Sequence, residues 1–320
     1  MNVIVRQADK TDGTRIVEIM NQAAVANLEP IDVEHFTSNL ERRKDIPHVS
    51  LVACMDGNVV GYGDTFLINN TPKHFGLKVQ IAPEYQQLGL GQLLYQQLMD
   101  FAALHGANRI ESTVQEEDIQ SLNWAKKRGF TIEHHTYIST LDLANWSHDN
   151  YVAEQKRVRS LGIRFSNLGA EITGQESFRR FYDFYLPIHR DMPGMAGIPY
   201  PDYERWLYKF TKAPGYDPNG YILAIHEDRW VGYSIVSRTD KGWLNAFTGV
   251  SRDYRGRGLA LPIKVAAIDY ARNQGATSVY TLNHAHNDAI VKVNNKLGYH
   301  RQPGKFIVAI EKVQEALYPR

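Results

Sequence analysis

The stretch IAPEYQQLGLGQLLYQQLMDFAALHG, Ile81 to Gly106, returns later in the chain as VSRDYRGRGLALPIKVAAIDYARNQG, Val250 to Gly275. Gly89 and Gly258 lie 169 positions apart (258 − 89), and the same offset relates Ile81 to Val250, Tyr85 to Tyr254, Gln86 to Arg255, Gly106 to Gly275 and Gly129 to Gly298. The register runs without an insertion from Ile81 to Phe130 and from Val250 to Tyr299. Repeats of about 20–50 residues build solenoids, whereas a spacing this long is that of a whole domain. The chain therefore reads as two copies of one fold, and any chemistry in the repeated stretch was built twice.

On either side of the repeat, strand and helix patterns alternate. Val3 to Arg6 reads as a strand, with amphipathic helices from Gly13 to Val25 and from Val33 to Arg43. Val49–Met55 and Val59–Leu67 flank Asp56-Gly57-Asn58, a hairpin turn sequence. Leu77–Ile81 is a further strand. Within the repeat come a helix from Gly91 to Leu104 stopped by Gly106, a strand from Arg109 to Val114, a helix from Ile119 to Arg128 stopped by Gly129, and a strand from Thr131 to Leu141.

The second copy repeats the order. Gly162–Ser166 is its first strand, Ser177–Leu186 a helix, Tyr221–His226 and Trp230–Ser237 a hairpin, and Leu244–Val250 the strand before the Gly-rich turn. A helix then runs to Asn273. Val231-Gly232-Tyr233 echoes Val60-Gly61-Tyr62 at an offset of 171 (232 − 61), so a small length change lies between these strands and the next. The expected domains are 1–145 and 162–320, joined by a polar, partly helical linker over 146–161. Pro187, Pro193, Pro199 and Pro201, with Gly194 and Gly197, predict a long irregular loop over 187–201.

At 320 residues each copy can bury its own core. The 43% hydrophobic and 22% charged content is that of a globular protein, and a net charge of +1 gives no reason to expect nucleic acid or an anionic membrane as partner. Cys54 is the one cysteine, follows Leu51-Val52-Ala53 and reads as a buried strand residue. The N-terminus lacks a signal-peptide core and no apolar run is long enough to span a membrane, which together predict a cytoplasmic protein. No metal-ligand spacing stands out. The fused copies already form a pseudo-dimer, so a monomer or a homodimer is expected.

The turn itself is Arg255-Gly256-Arg257-Gly258-Leu259-Ala260 in the second copy and Gln86-Gln87-Leu88-Gly89-Leu90-Gly91 in the first. Successive backbone N–H groups in such a turn, with those of the following helix, form an anion-binding concavity. Small residues at 256, 258 and 260 let a pyrophosphate reach the main chain, Arg255 and Arg257 add charge, and Pro262 falls in the first helical turn where its missing N–H matters little. A nucleoside-triphosphate loop would end in Gly-Lys-Ser/Thr, which neither copy has. A dinucleotide fingerprint would follow the first strand of a β-α-β unit, whereas these glycines follow a late strand after a hairpin. Gln/Arg-x-x-Gly-x-Gly/Ala between strand and helix resembles the coenzyme A pyrophosphate loop of the GNAT family of N-acetyltransferases. The resemblance covers nearly the whole chain, twice. In the second half, Thr281-x-Asn283-x-x-x-Asn287 and Asn294-x-x-Leu297-Gly298-Tyr299 are similar to the active half of tandem acetyltransferases related to mycothiol synthase.

The resemblance implies an α/β (α+β) fold of two tandem domains, each a mixed, mostly antiparallel sheet flanked by helices. It implies acetyl-CoA as cofactor and direct acetyl transfer to an acceptor amine, here the primary amine of a small molecule. Splayed fourth and fifth strands would hold the acyl-pantetheine, so Thr248, Gly249 and Val250 would line the thioester, with Arg255 to Ala260, Asn287 and Asn294 completing the cofactor site. Val79, Ile81 and Gln86 to Gly91 are the matching set in the first copy, whose turn lacks arginine and which reads as a degenerate partner. Many relatives carry a Tyr acid four residues before the Gly of the last helix. Here that position is Asn294, and Ala125 in the first copy, so the catalytic acid is unassigned. Candidates for proton handling are His284, His286 and Asn245, with histidine titrating near neutrality. Asn283 and Asn287 are expected to cap the last helix. His189, Asp191, Tyr200 and Tyr203, in and beside the Pro-rich segment, lie where relatives cover the acceptor. A non-catalytic acyl-CoA-binding or sensing module is the alternative that the missing Tyr keeps open. A tRNA-dependent aminoacyl transferase is disfavoured by the intact turn and near-zero charge.

Overall fold

The computed structural model describes residues 2–22, 32–43, 45–68, 73–192, 195, 200–213 and 215–311. Two compact units emerge, one of residues 1–135 with 305–320 and the other of 136–304. The first unit contains β1 (Val3–Gln7), α1 (Gly13–Gln22), α2 (Val33–Arg43), β2 (His48–Met55), β3 (Asn58–Leu67), β4 (His74–Ile81), α3 (Leu90–Leu104), β5 (Arg109–Gln115) and α4 (Ile119–Lys126). Strand β6 (Thr131–Asp142) leaves this unit and ends in the second. The second unit continues with α5 (Val152–Ser160), β7 (Ile163–Asn167), α6 (Leu168–Glu171), α7 (Gln175–Arg190), α8 (Tyr203–Thr211), β8 (Tyr221–His226), β9 (Arg229–Thr239), β10 (Gly242–Val250), α9 (Ala260–Asn273), β11 (Ser278–His284) and α10 (Asp288–Lys296). The last strand, β12 (His300–Glu311), returns to the first unit.

Each unit has the same sheet. In the first, β1, β2, β3 and β4 pair antiparallel in order, β4 meets β5 in parallel, and Lys305–Glu311 of β12 pairs antiparallel with β5. In the second, β7, β8, β9 and β10 pair antiparallel, β10 meets β11 in parallel, and residues 136–142 of β6 pair antiparallel with β11. Each sheet is therefore completed by the final strand of the other sequence copy. A period-two pattern states which residues face the core but not which strand they sit beside, so the compact units depart from the repeat at residues 135 and 305.

The central helix of each unit follows its apolar spacing. Leu90, Leu94, Leu98 and Ala102 of α3 recur at helical spacing and are buried against β2, β3 and β4. In α9 the buried set runs through Leu261, Val265, Ile268 and Ala271. Truncating one such leucine to alanine costs about 2–5 kcal/mol. The first hairpin turns through Asp56 (φ 50°) and Gly57 (φ 87°), the paired left-handed residues that a two-residue turn requires. Cys54 is buried in β2, as its neighbours predict.

Several expectations need correction. Helix α1 is seen to Gln22, and residues 23–25 lie outside the described residues. Pro187 does not end α7, which continues to Arg190. The carbonyl deprived of an N–H partner belongs to Asp183, and both Asp183 and Pro187 are exposed, so water can satisfy it. Pro193, Gly194, Gly197 and Pro199 lie outside the described residues. Asn283 caps nothing: it is an inner residue of β11. Asn287 occupies the N-cap position of α10, but its side chain makes no capping bond. Helix α8 was not anticipated, although Asp202 caps it and Tyr203, Trp206, Leu207 and Phe210 have helical spacing.

Candidate active site

The parallel pairing of β10 and β11 covers only Trp243–Val279 and Leu244–Tyr280. Beyond it the two strands run on to Val250 and His284 without pairing to each other. The fork opens where β10 bulges against β9, between Asn245 and Phe247. Asn245 pins the bulge: its Nδ2 donates to Ser234 Oγ at 2.9 Å and to Ile235 O at 2.8 Å, and Ser234 Oγ is 2.8 Å from Thr248 Oγ1. Thr281 Oγ1 donates across the fork to Asn245 O at 2.9 Å. Thr248, Gly249 and Val250 thus lie on the free arm of β10. Asn245 is 1% exposed and committed to the backbone, with its Oδ1 buried and unpartnered.

At the end of β10 a short 3₁₀ turn, Arg252–Tyr254, feeds the Gly-rich loop. Gly256 (φ 75°) and Gly258 (φ 70°) are both left-handed, a conformation that a Cβ disfavours. Among the described residues, no backbone N–H from Gly256 to Leu261 donates to a backbone carbonyl. The result is a run of donors at the mouth of α9, suited to a phosphate. Two side chains of α5 brace it. Arg157 donates to Arg257 O at 3.0 Å and Gly258 O at 3.1 Å, and Gln155 Nε2 donates to Pro262 O at 3.1 Å. Sequence reasoning treated α5 as linker and missed both; the alternation of Gln155 and Arg157 with a buried Val158 was the available signal.

Arg255 reaches back to Val250 O at 3.0 Å and to Asp191 at 2.6 Å, and Arg252 also grips Asp191 at 2.8 Å. Hydrogen bonds from Arg252 and then Arg255 hold the Asp191 carboxyl well below the usual carboxylate range. Asp191 caps the C-terminus of α7 and so ties that helix to the loop. A cleft of about 310 Å³ beside them is lined by Ile188, Asp191, Trp230, Arg252 and Arg255 among others. His189 stacks between Tyr185 and Phe247, with ring centroids 3.8 and 4.3 Å away. Burial pushes it down to about 4, so it is neutral at physiological pH. The His189 Nε2, Tyr200 hydroxyl and Tyr233 hydroxyl are buried without a partner. Tyr203 opens α8, and its hydroxyl donates to Gln175 O at 3.3 Å.

The last helix brings Asn294 inward. Its Oδ1 accepts from Lys264 Nζ at 2.5 Å and its Nδ2 donates to Asn283 Oδ1 at 2.7 Å. Asn283 donates on to Ser139 Oγ at 3.0 Å. Lys264 is 1% exposed, and burial pushes it down to about 7. His284 and His286 stand at the end of β11 with ring centroids 5.6 Å apart. Asn287 follows them at the head of α10.

The first unit has the same fork, with β4 and β5 paired only from His74–Arg109 to Gly76–Glu111. Val79 and Ile81 lie on its free arm, but β4 meets β3 without a bulge. Its loop repeats the backbone, with Gln87 (φ 63°) and Gly89 (φ 80°) left-handed, and Gln86 Nε2 reaching Ile81 O at 3.3 Å as Arg255 reaches Val250. Leu88 is exposed there, Leu90 is buried and Gly91 begins the second residue of α3.

The profile of the Acetyltransferase (GNAT) family matches residues 15–130 and again 178–299. N-alpha-acetyltransferase 30 of Schizosaccharomyces pombe is 25% identical over 105 residues, 31% of this chain and 68% of that protein. L-2,4-diaminobutyric acid acetyltransferase of Nocardia farcinica is 31% identical over 91 residues, 27% of this chain and 47% of that protein. Among solved structures, a GCN5-related N-acetyltransferase from Sphaerobacter thermophilus superposes with a TM-score of 0.69 at 18% identity, covering 97% of this chain and 95% of that one. A tandem GNAT protein from the clavulanic acid biosynthesis pathway gives 0.63 at 18% identity, covering 97% and 99%. At these identities the structural likeness is one of fold. Among the described residues no helix is long and apolar enough to cross a membrane. The two matched regions take in most of the chain, which belongs to the GNAT family of acetyl-CoA-dependent N-acetyltransferases and carries that fold twice.

Proposed function

We propose that the protein transfers the acetyl group of acetyl-CoA to the primary amine of a small molecule, and that the second unit performs the reaction. The observation that carries this reading is the bulged fork of β10 and β11 beside a braced, donor-rich loop. The loop from Gly256 to Ala260 holds the pyrophosphate and Arg257 adds charge; Arg255 exchanges Asp191 for phosphate or bridges both. Thr248, Gly249 and Val250 on the fork arm of β10 would hold the pantetheine. The main-chain N–H groups of that arm that point away from β9 would polarise the thioester carbonyl as charge develops on its oxygen. On the acceptor side, Tyr185, neutral His189 and Phe247 offer an aromatic surface without charge, which suits an amine arriving deprotonated. The 2,4-diaminobutyrate named for one relative is a small amine of the proposed class.

The first unit binds acyl-CoA weakly or not at all, since its loop replaces Arg255 and Arg257 with Gln86 and Leu88. Thiol release from acetyl-CoA across a panel of small amines tests the assignment. Wild type should release thiol with at least one amine, and Gly258→Glu should abolish it, because the new side chain adopts an unfavourable φ, meets Arg157 Nη2 at 2.7 Å and brings a carboxylate to the phosphate site. Undiminished release by Gly258→Glu would refute the assignment.

A further inference from the structure

Burying a lysine amine disfavours its charged form and is tolerated only where something compensates. The second unit buries Lys264, Asn294 and Asn283 together with Tyr299, whose ring lies 4.7 Å from Lys264 Nζ and whose hydroxyl has no partner. The fold does not need this set. At the matching positions the first unit has Tyr95, Ala125, Val114 and Phe130, all part of its apolar core. Hydrophobic residues of fitting shape stabilise such a site at least as well as buried polar ones, so stability does not account for the lysine.

The bonding has one direction. A lysine amine donates, so the oxygen of Asn294 faces it and Nδ2 faces Asn283. Asn283 then spends its own amide on Ser139 Oγ and, at 3.5 Å, on Tyr137 O. One amide hydrogen of Asn294 is left over. The chain stands against the fork: Asn283 lies three residues past Tyr280, the last residue of β11 paired with β10, and Thr281 between them bonds across to Asn245 O.

We propose that Lys264 is a positioning residue for acyl transfer, whose ammonium fixes the Asn294 amide and sets a positive charge behind it, opposite the thiolate that leaves the fork. The inference rests on the assignment of chemistry to the second unit. The acceptor nitrogen forms the C–N bond to the thioester carbonyl carbon, and the C–S bond breaks with its electron pair passing to sulfur. The nitrogen loses its proton to water, and the thiolate takes one from water on release. Lys264 keeps its proton throughout. The groups facing it are the neutral Asn294 from α10 and the Tyr299 hydroxyl, which burial pushes far above its ordinary range. Burial is the one influence acting on Lys264, with no carboxylate among its neighbours in charge. An anion arriving in the fork therefore favours the ammonium, and the ammonium favours the anion.

Coenzyme A itself is the probe, which removes dependence on the unknown acceptor. Its thiolate is followed by ultraviolet absorbance against pH when bound to the full-length protein. In wild type the bound thiol should titrate at least one unit below that of free coenzyme A followed in the same buffer, a tenfold gain in thiolate at a given pH. That depression should vanish in Lys264→Met. It should vanish too in the quadruple variant Lys264→Tyr, Asn294→Ala, Asn283→Val and Tyr299→Phe, whose packing the first unit already demonstrates. Affinity for desulfo-coenzyme A should stay within threefold in Lys264→Met. An identical thiol titration in wild type and both variants overturns the proposal, as does loss of desulfo-coenzyme A binding in Lys264→Met, which would make the lysine structural only. If Gly258→Glu leaves the bound-thiolate signal intact, the second-unit assignment fails instead.

Discussion

Matched positions in the two units carry opposite chemistry on one backbone. Tyr95, Ala125, Val114 and Phe130 close the core of the first unit, where Lys264, Asn294, Asn283 and Tyr299 form a polar chain in the second. At the fork, Gly63, Gly76 and Val79 of the first unit stand where the second has Ser234, Asn245 and Thr248, which pin a bulge that the first unit lacks. Even the loops differ under an identical trace, since Gln87 bears the left-handed conformation that Gly256 adopts without strain. At these four positions the first copy shows that the fold accepts an apolar set, so the polar set of the second copy is what the proposed chemistry would account for. Buried polar groups in one of two otherwise equivalent cores are better evidence for a site than any of them singly.

The largest effect that would break or sharpen this contrast concerns stability. Lys264 titrates at about 7 in the folded chain, below the ~10.4 of an unfolded lysine. Between those values the unfolded state binds more protons, so stability rises as pH rises through that window. Wild type should gain on the order of 3–5 kcal/mol from this group between about pH 7 and pH 10. The quadruple variant should lack that gain and be the more stable protein at pH 7. Denaturant unfolding at a series of pH values reads the difference. A gap between the two proteins that does not change with pH would mean that Lys264 is not buried as a strained base.

A smaller contrast sits at the start of the last helix of each repeat. Asp118 Oδ1 accepts from Ser121 N at 2.8 Å, while Asn287, its counterpart, makes no such bond. Asp118→Ala should lose about 1 kcal/mol, and Asn287→Ala less than about 0.5 kcal/mol, both measured by thermal unfolding. An equal loss at the two sites would show that Asn287 caps after all.

Local features were legible in the sequence, because each depends on residues close together in the chain. The Asp56-Gly57 turn, the glycine stops at Gly106, Gly129, Gly275 and Gly298, and the Gly-rich loop all stand where spacing predicted them. Pro187 misled, since a proline on the solvent face of α7 deprives only the exposed Asp183 carbonyl of its partner. The exchanged strands were hidden for a different reason: alternation in 136–142 and 305–311 reports a buried face and is silent about the neighbour. Lys264 could have been found by aligning the copies, where a lysine replaces Tyr95 between Ile263 and Val265 in the apolar first half of α9. Its partners could not, because Asn283 and Ser139 come from strands that only the tertiary fold brings together.

The central claim, that one unit binds the cofactor for chemistry and the other serves as its apolar twin, is tested most directly by calorimetry of coenzyme A with Gly89→Glu and Gly258→Glu side by side. Both glycines are left-handed at the head of the central helix, so the two substitutions share the backbone strain and the carboxylate, and Gly258→Glu alone also displaces Arg157. The account predicts that Gly89→Glu keeps the tight site with its affinity within about twofold, a change under 0.5 kcal/mol, whereas Gly258→Glu loses that site. Loss of the tight site in Gly89→Glu, with binding intact in Gly258→Glu, would contradict it.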